Sequence, residues 1–74
     1  MPADQLRGRY VELLLDHLAD ARYPSAPMLD RIEAAISDRE TAEAYVDSLL
    51  QRMEQERFPS PPMMDRMTRL LSRL

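Results

Sequence analysis

The chain contains no cysteine, so disulfides, thiolate metal sites and a cysteine nucleophile are excluded. It has one glycine, Gly8, which leaves no room for a Gly-rich phosphate loop. It has one histidine, His17, so one chain cannot build a multi-histidine metal site. Lysine, asparagine and tryptophan are missing, and aromatic residues make up only 5% of the chain. No apolar run approaches a membrane span; Leu13-Leu14-Leu15 is typical of the longest. The start, Met1-Pro2-Ala3-Asp4, lacks the charged-then-apolar pattern of a secretory signal, and the expected location is cytoplasmic.

What is present is ordinary for one small globular domain spanning residues 1–74. Hydrophobic residues make up 45% and charged residues 31% of the 74. Ten basic residues, all arginine, stand against 13 acidic ones, a net charge of -3. That balance opposes non-specific nucleic-acid binding, which needs a basic face. Arginine alone as the basic residue is better explained by the base composition of a GC-rich genome than by a functional demand for guanidinium, though arginine is the better residue for fixed, bidentate ion pairs.

An internal repeat organises the chain at an offset of 35 residues, with units at 10–39 and 45–74. The identical pairs are Tyr10/Tyr45, Val11/Val46, Leu14/Leu49, Leu15/Leu50, Arg22/Arg57, Pro24/Pro59, Ser25/Ser60, Pro27/Pro62, Met28/Met63, Asp30/Asp65, Arg31/Arg66 and Ser37/Ser72. Conservative pairs such as Leu18/Met53, Tyr23/Phe58, Leu29/Met64 and Ile32/Met67 extend the match. Such self-similarity is the mark of a duplicated structural unit. Its period approaches that of tetratricopeptide and pentatricopeptide repeats in length only. Their Gly, Ala and aromatic positions are missing here, so no family is identified.

Each unit reads as a long helix, a Pro-rich turn and a short helix. Leu6, Tyr10, Val11, Leu14, Leu15 and Leu18 recur at spacings of three and four, as do Ala42, Tyr45, Val46, Leu49, Leu50 and Met53. Tyr23 and Phe58 precede prolines and are expected to end the long helices. Ser25 and Ser60 are expected N-caps, with prolines tolerated in the first turn that follows. The short helices should bury Met28, Leu29, Ile32, Ala35 and Ile36, and Met63, Met64, Met67, Leu70 and Leu71. Ser37-Asp38-Arg39-Glu40 has the Ser-x-x-Glu spacing of a capping box at the third helix. The sequence thus predicts an all-α fold of four helices, near 4–22, 26–36, 38–57 and 61–73, arranged as two related helical hairpins. Gly8 falls inside the first helix, at a fray point or a close contact.

The candidate chemistry is sparse. Asp16, His17 and Asp20 could form a metal or general-base cluster, but the matching residues are Gln51, Arg52 and Gln55, so a surface histidine is favoured. Arg22 and Asp30, with Arg57 and Asp65, could lock the hairpin turns; the helix dipole accounts for the same charges. The Tyr/Phe-Pro-Ser-x-Pro-Met element could be a recognition corner, but a ring plugging the hairpin end is favoured. Tyr10 and Tyr45 are expected to bury their rings. No catalytic, cofactor-binding or metal-ligating set emerges, and none is assigned.

The functional expectation is therefore a non-catalytic protein–protein interaction module, an adaptor, regulator or accessory subunit that self-associates, plausibly as a homodimer. Its contact residues would be Met63, Met64, Met67, Leu70, Leu71 and Leu74, an unusually apolar set for a terminal helix, with methionines suited to adaptable contacts. The alternative is a small nucleic-acid-associated regulator using Arg66, Arg69 and Arg73, with Arg7 and Arg9. No membrane partner is expected.

Overall fold

A computed structural model describes residues 2–74. The described residues form four helices: α1 (Ala3–Asp20), α2 (Ala26–Ala35), α3 (Arg39–Gln55) and α4 (Pro61–Ser72). The chain divides into two compact units, Met1–Ser37 and Asp38–Leu74. In the first, α1 packs with α2; in the second, α3 packs with α4. The all-α class and the long-then-short pairing are as expected from the sequence, and the helix limits fall within two residues of the expected ones.

Local chemistry explains where the helices begin. Ser25 accepts a hydrogen bond from the Met28 backbone N–H at 3.2 Å, and Ser60 accepts one from that of Met63 at 3.3 Å. Each satisfies a donor that has no acceptor within its helix. Pro27, Pro61 and Pro62 occupy the first turns, where a missing N–H costs nothing. The third helix starts one residue later than the Ser-x-x-Glu spacing implies. Asp38 is the N-cap, and its Oδ2 accepts from the Thr41 backbone N–H and from Thr41 Oγ1, both at 2.8 Å. A carboxylate beside two donors is a stronger acceptor than the Ser37 hydroxyl, so the cap shifts to it. These donors, the Thr41 N–H foremost, hold the Asp38 carboxyl below its ordinary value of 3.8.

The helices also stop sooner than expected. The long ones end at Asp20 and Gln55, not at the residues before proline. Ala21 and Glu56 turn into extended backbone, with ψ of 124° and 135°. Among the described residues none takes a positive φ, so neither hairpin relies on a left-handed glycine cap. Gly8 lies mid-helix with open space where its Cβ would be, which removes the close-contact explanation for it.

The two cores are small. The first unit buries Val11 and Leu18 of α1 with Leu29 and Ile32 of α2. The second buries Tyr45, Val46 and Leu49 of α3 with Met67 and Arg66 of α4. Each fully buried aliphatic side chain contributes about 1.5–3 kcal/mol. Several expected core residues stay outside: Leu6, Tyr10, Leu50, Met64 and Leu71 are exposed. In α1 the buried face centres on Val11, Leu14, Leu15 and Leu18, which leaves Tyr10 at its edge, 47% exposed. In α3 the face runs through Ala42, Tyr45, Val46, Leu49 and Met53, and Tyr45 is fully buried on it.

Candidate interaction surface

The hairpin turns carry the most exposed large side chains. Tyr23 is 84% exposed and Phe58 83%, so neither ring plugs a hairpin end. The cause is the early helix stop. Residues 21–25 and 56–60 follow the helices outside regular structure, and the following Pro24 and Pro59 are half-buried in place of the rings. The Arg22 guanidinium carbon lies 5.8 Å from the Tyr23 ring centroid, and that of Arg57 lies 5.7 Å from the Phe58 ring. Each arginine thus lies against its neighbouring ring. Cation–π contacts at exposed sites contribute about 0.5–1 kcal/mol. The Arg-aromatic-Pro-Ser order signals this arrangement in the sequence, and the preference for a plugged end obscured it.

The residues expected on α4 separate into two groups. Met67 is buried, and Met63, Leu70 and Leu74 are half-buried along the same stripe. Met64 and Leu71, seven residues apart and so on one side of the helix, are 45% and 52% exposed. Thr68 lies between them, also exposed, with its hydroxyl donating to the Met64 carbonyl at 3.0 Å. The accessible part of the expected contact surface is therefore Met64 and Leu71, flanked by the half-buried three.

The arginines proposed for nucleic acid also separate. Arg66 is 8% exposed, whereas Arg7, Arg9, Arg69 and Arg73 are exposed. No buried side-chain nitrogen or oxygen among the described residues lacks a hydrogen-bond partner, so Arg66 is satisfied in place. A buried arginine cannot contribute to an electrostatic face for phosphates.

His17, Asp16 and Asp20 are exposed on α1. Among the described residues, no group of three or more His, Cys, Asp or Glu side chains is arranged to hold a metal ion. None of the described helices is long and apolar enough to cross a membrane. A third exposed apolar group consists of Leu6, Tyr10 and Leu13 on α1, each about half exposed. The sequence reading placed Leu6 and Tyr10 in the core stripe and so missed it. The spacing of Leu6, Tyr10 and Leu13 at i, i+4 and i+7 was the available signal.

Comparison with protein-family models, with curated proteins and with solved structures finds no match to this chain.

Proposed function

We propose that the chain is a non-catalytic helical protein–protein interaction module of the cytoplasm, an adaptor, regulator or accessory subunit that self-associates. In this reading its two units descend from one duplicated hairpin. The observation that carries it is the exposure of Met64 and Leu71 on one side of α4. The unit is small enough that leaving two large apolar side chains in water forgoes a sizeable part of the available burial. Methionine and leucine at helical spacing suit the apolar groove or helix face of another protein.

The test uses the tagged full chain. Mass is measured by light scattering, and proteins retained from a lysate of the native source are identified. The wild type is expected to retain a stoichiometric protein or its own untagged copies. Met64→Asp and Leu71→Asp, with helix content intact by circular dichroism, are expected to lose that retention. Folded variants that keep both mass and retention would remove the α4 surface from consideration.

A further inference from the structure

We propose that Ser25 and Ser60 are phosphorylation sites, each read by a serine kinase through the arginine three residues before it. That spacing occurs three times: Arg22 before Ser25, Arg57 before Ser60 and Arg69 before Ser72. Ser37 and Ser48 have Ala34 and Tyr45 at the same distance. A guanidinium is a planar fork that suits carboxylates in a kinase cleft.

Local structure separates the three serines. A kinase has to bring the hydroxyl oxygen to about 3–3.5 Å from the γ-phosphorus of ATP. The residues around the acceptor must therefore leave their own fold and lie along the cleft. Residues 21–25 and 56–60 are already outside the helices. Ser25 and Ser60 have extended backbone, with ψ of 155° and 148°. Arg22, Tyr23 and Ser25 are exposed, and so are Arg57, Phe58 and Ser60. Pro24 and Pro59 fix φ directly before each serine, which stiffens the segment in an open form. Ser72 instead belongs to α4, as does Arg69, so its arginine and its hydroxyl are both held on helical backbone.

The hydroxyls differ as well. Ser25 and Ser60 use Oγ as an acceptor, from the N–H groups of Met28 and Met63 at 3.2 and 3.3 Å. Ser72 Oγ donates its proton to the Arg69 carbonyl at 2.7 Å. In the transfer, an Oγ lone pair forms the bond to the γ-phosphorus and the bond to the β,γ-bridging oxygen breaks. ADP leaves with that electron pair, and a kinase carboxylate takes the hydroxyl proton. Ser72 must first give up the bond that holds this proton.

The products are also unequal. A phosphate on Ser25 or Ser60 stands at the N-cap of α2 or α4, where the helix dipole favours negative charge. On Ser72 it would meet the opposite end of α4, where the dipole disfavours it.

The test has two arms. The full chain is recovered from its native source with phosphatases inhibited, and its phosphoserines are mapped by mass spectrometry. Phosphate is expected on Ser25 and Ser60. The purified full chain is also treated with Mg²⁺, ATP and a purified kinase selective for arginine three residues before serine. Initial rates at Ser25 and Ser60 are expected to exceed the rate at Ser72 about tenfold. Arg22→Ala and Arg57→Ala each replace an exposed side chain, and each should slow the serine three residues on about tenfold or more while sparing the other. Ser60→Asn keeps a good N-cap, so α4 still forms and only that site is lost. A native chain with no phosphate on either serine overturns the inference, and phosphate on one alone overturns the assignment of the other. So does a Ser72 modified as fast as Ser25 and Ser60 on the folded chain, or rates at those two serines that ignore the loss of their arginines.

Discussion

Tyr10 and Tyr45 occupy the same position of two segments that match at an offset of 35 residues, yet one is 47% exposed and the other 1%. The short helices differ in the same way. In α2 the buried residues are Leu29 and Ile32, and Arg31 is exposed; in α4 the matching Met64 is exposed, Arg66 is buried and Met67 stays in the core. The buried stripe has moved around α4 by roughly 80° relative to α2, most of one residue's step. Matching sequence patterns therefore share helices, caps and turns, while the face each helix turns inward depends on the particular side chains available to fill it. Ile32 in α2 is replaced by the longer, unbranched Met67, and Leu18 in α1 by Met53, so the second core is assembled from different volumes.

The largest test of this contrast is at the tyrosines. Tyr45→Ala empties a fully buried site and is expected to cost about 3–5 kcal/mol, enough to unfold much of so small a protein. Tyr10→Ala is expected to cost about 1 kcal/mol or less, because its ring is already half in water. Urea denaturation followed by circular dichroism, at concentrations where the chain is monomeric, reads both. Equal losses would show that the two positions are equivalent after all. The paired arginines come next. Arg66→Ala removes a buried, partnered guanidinium and is expected to cost about 1–3 kcal/mol. Arg31→Ala, at the exposed matching position, is expected to stay within about 0.5 kcal/mol of wild type.

These contrasts also mark where the sequence is informative. The helices, the Ser25 and Ser60 caps and the long-then-short order follow from short-range rules: apolar spacing, proline's fixed φ and a hydroxyl three residues before an unpaired N–H. The fate of each side chain is a longer-range matter. Met64, Leu71, Leu6 and Tyr10 satisfy the helical spacing of core residues, and spacing alone cannot choose between two adjacent stripes of one helix. The same limit hid the exposed Tyr23 and Phe58. Proline restricts the residue before it, but the helices stop three residues before Tyr23 and Phe58, at Asp20 and Gln55. Of the candidate surface, the α4 residues were legible as a group, and their division into Met67 inside and Met64 and Leu71 outside was not.

A smaller effect separates the two long helices at Gly8 and its matching residue Glu43. Glu43 accepts a hydrogen bond from Arg39 Nε at 2.8 Å, an exposed i, i+4 pair. Gly8 has no side chain, an ordinary backbone and nothing within 4 Å of an added Cβ. Gly8→Ala is therefore expected to stabilise the first unit by about 0.5–1 kcal/mol, through helix propensity and a less disordered unfolded chain. A loss of stability would reveal a contact that the open space around Gly8 does not contain.

The smallest expected effect is the pH dependence at Asp38, which caps α3 where α1 has only Pro2 and no capping side chain. Hydrogen bonds from Thr41 lower the Asp38 pKa in the folded state, its backbone N–H contributing most. The folded protein therefore holds its ionised form more strongly than the unfolded chain does. The resulting stabilisation is present in full above the ordinary value of 3.8 and is lost as pH falls through the lower folded value. Asn caps a helix about as well as Asp but does not titrate in this range. Asp38→Asn should thus leave stability near pH 7 almost unchanged and flatten its decline in acid, in the second unit alone. Hydrogen exchange at the first-turn amides of α3, Thr41 above all, compared with those of α1 from pH 6 down to pH 3, is the direct measurement. If the α3 amides lose protection in acid equally in the wild type and in Asp38→Asn, the acid sensitivity of this helix start has a source other than its cap.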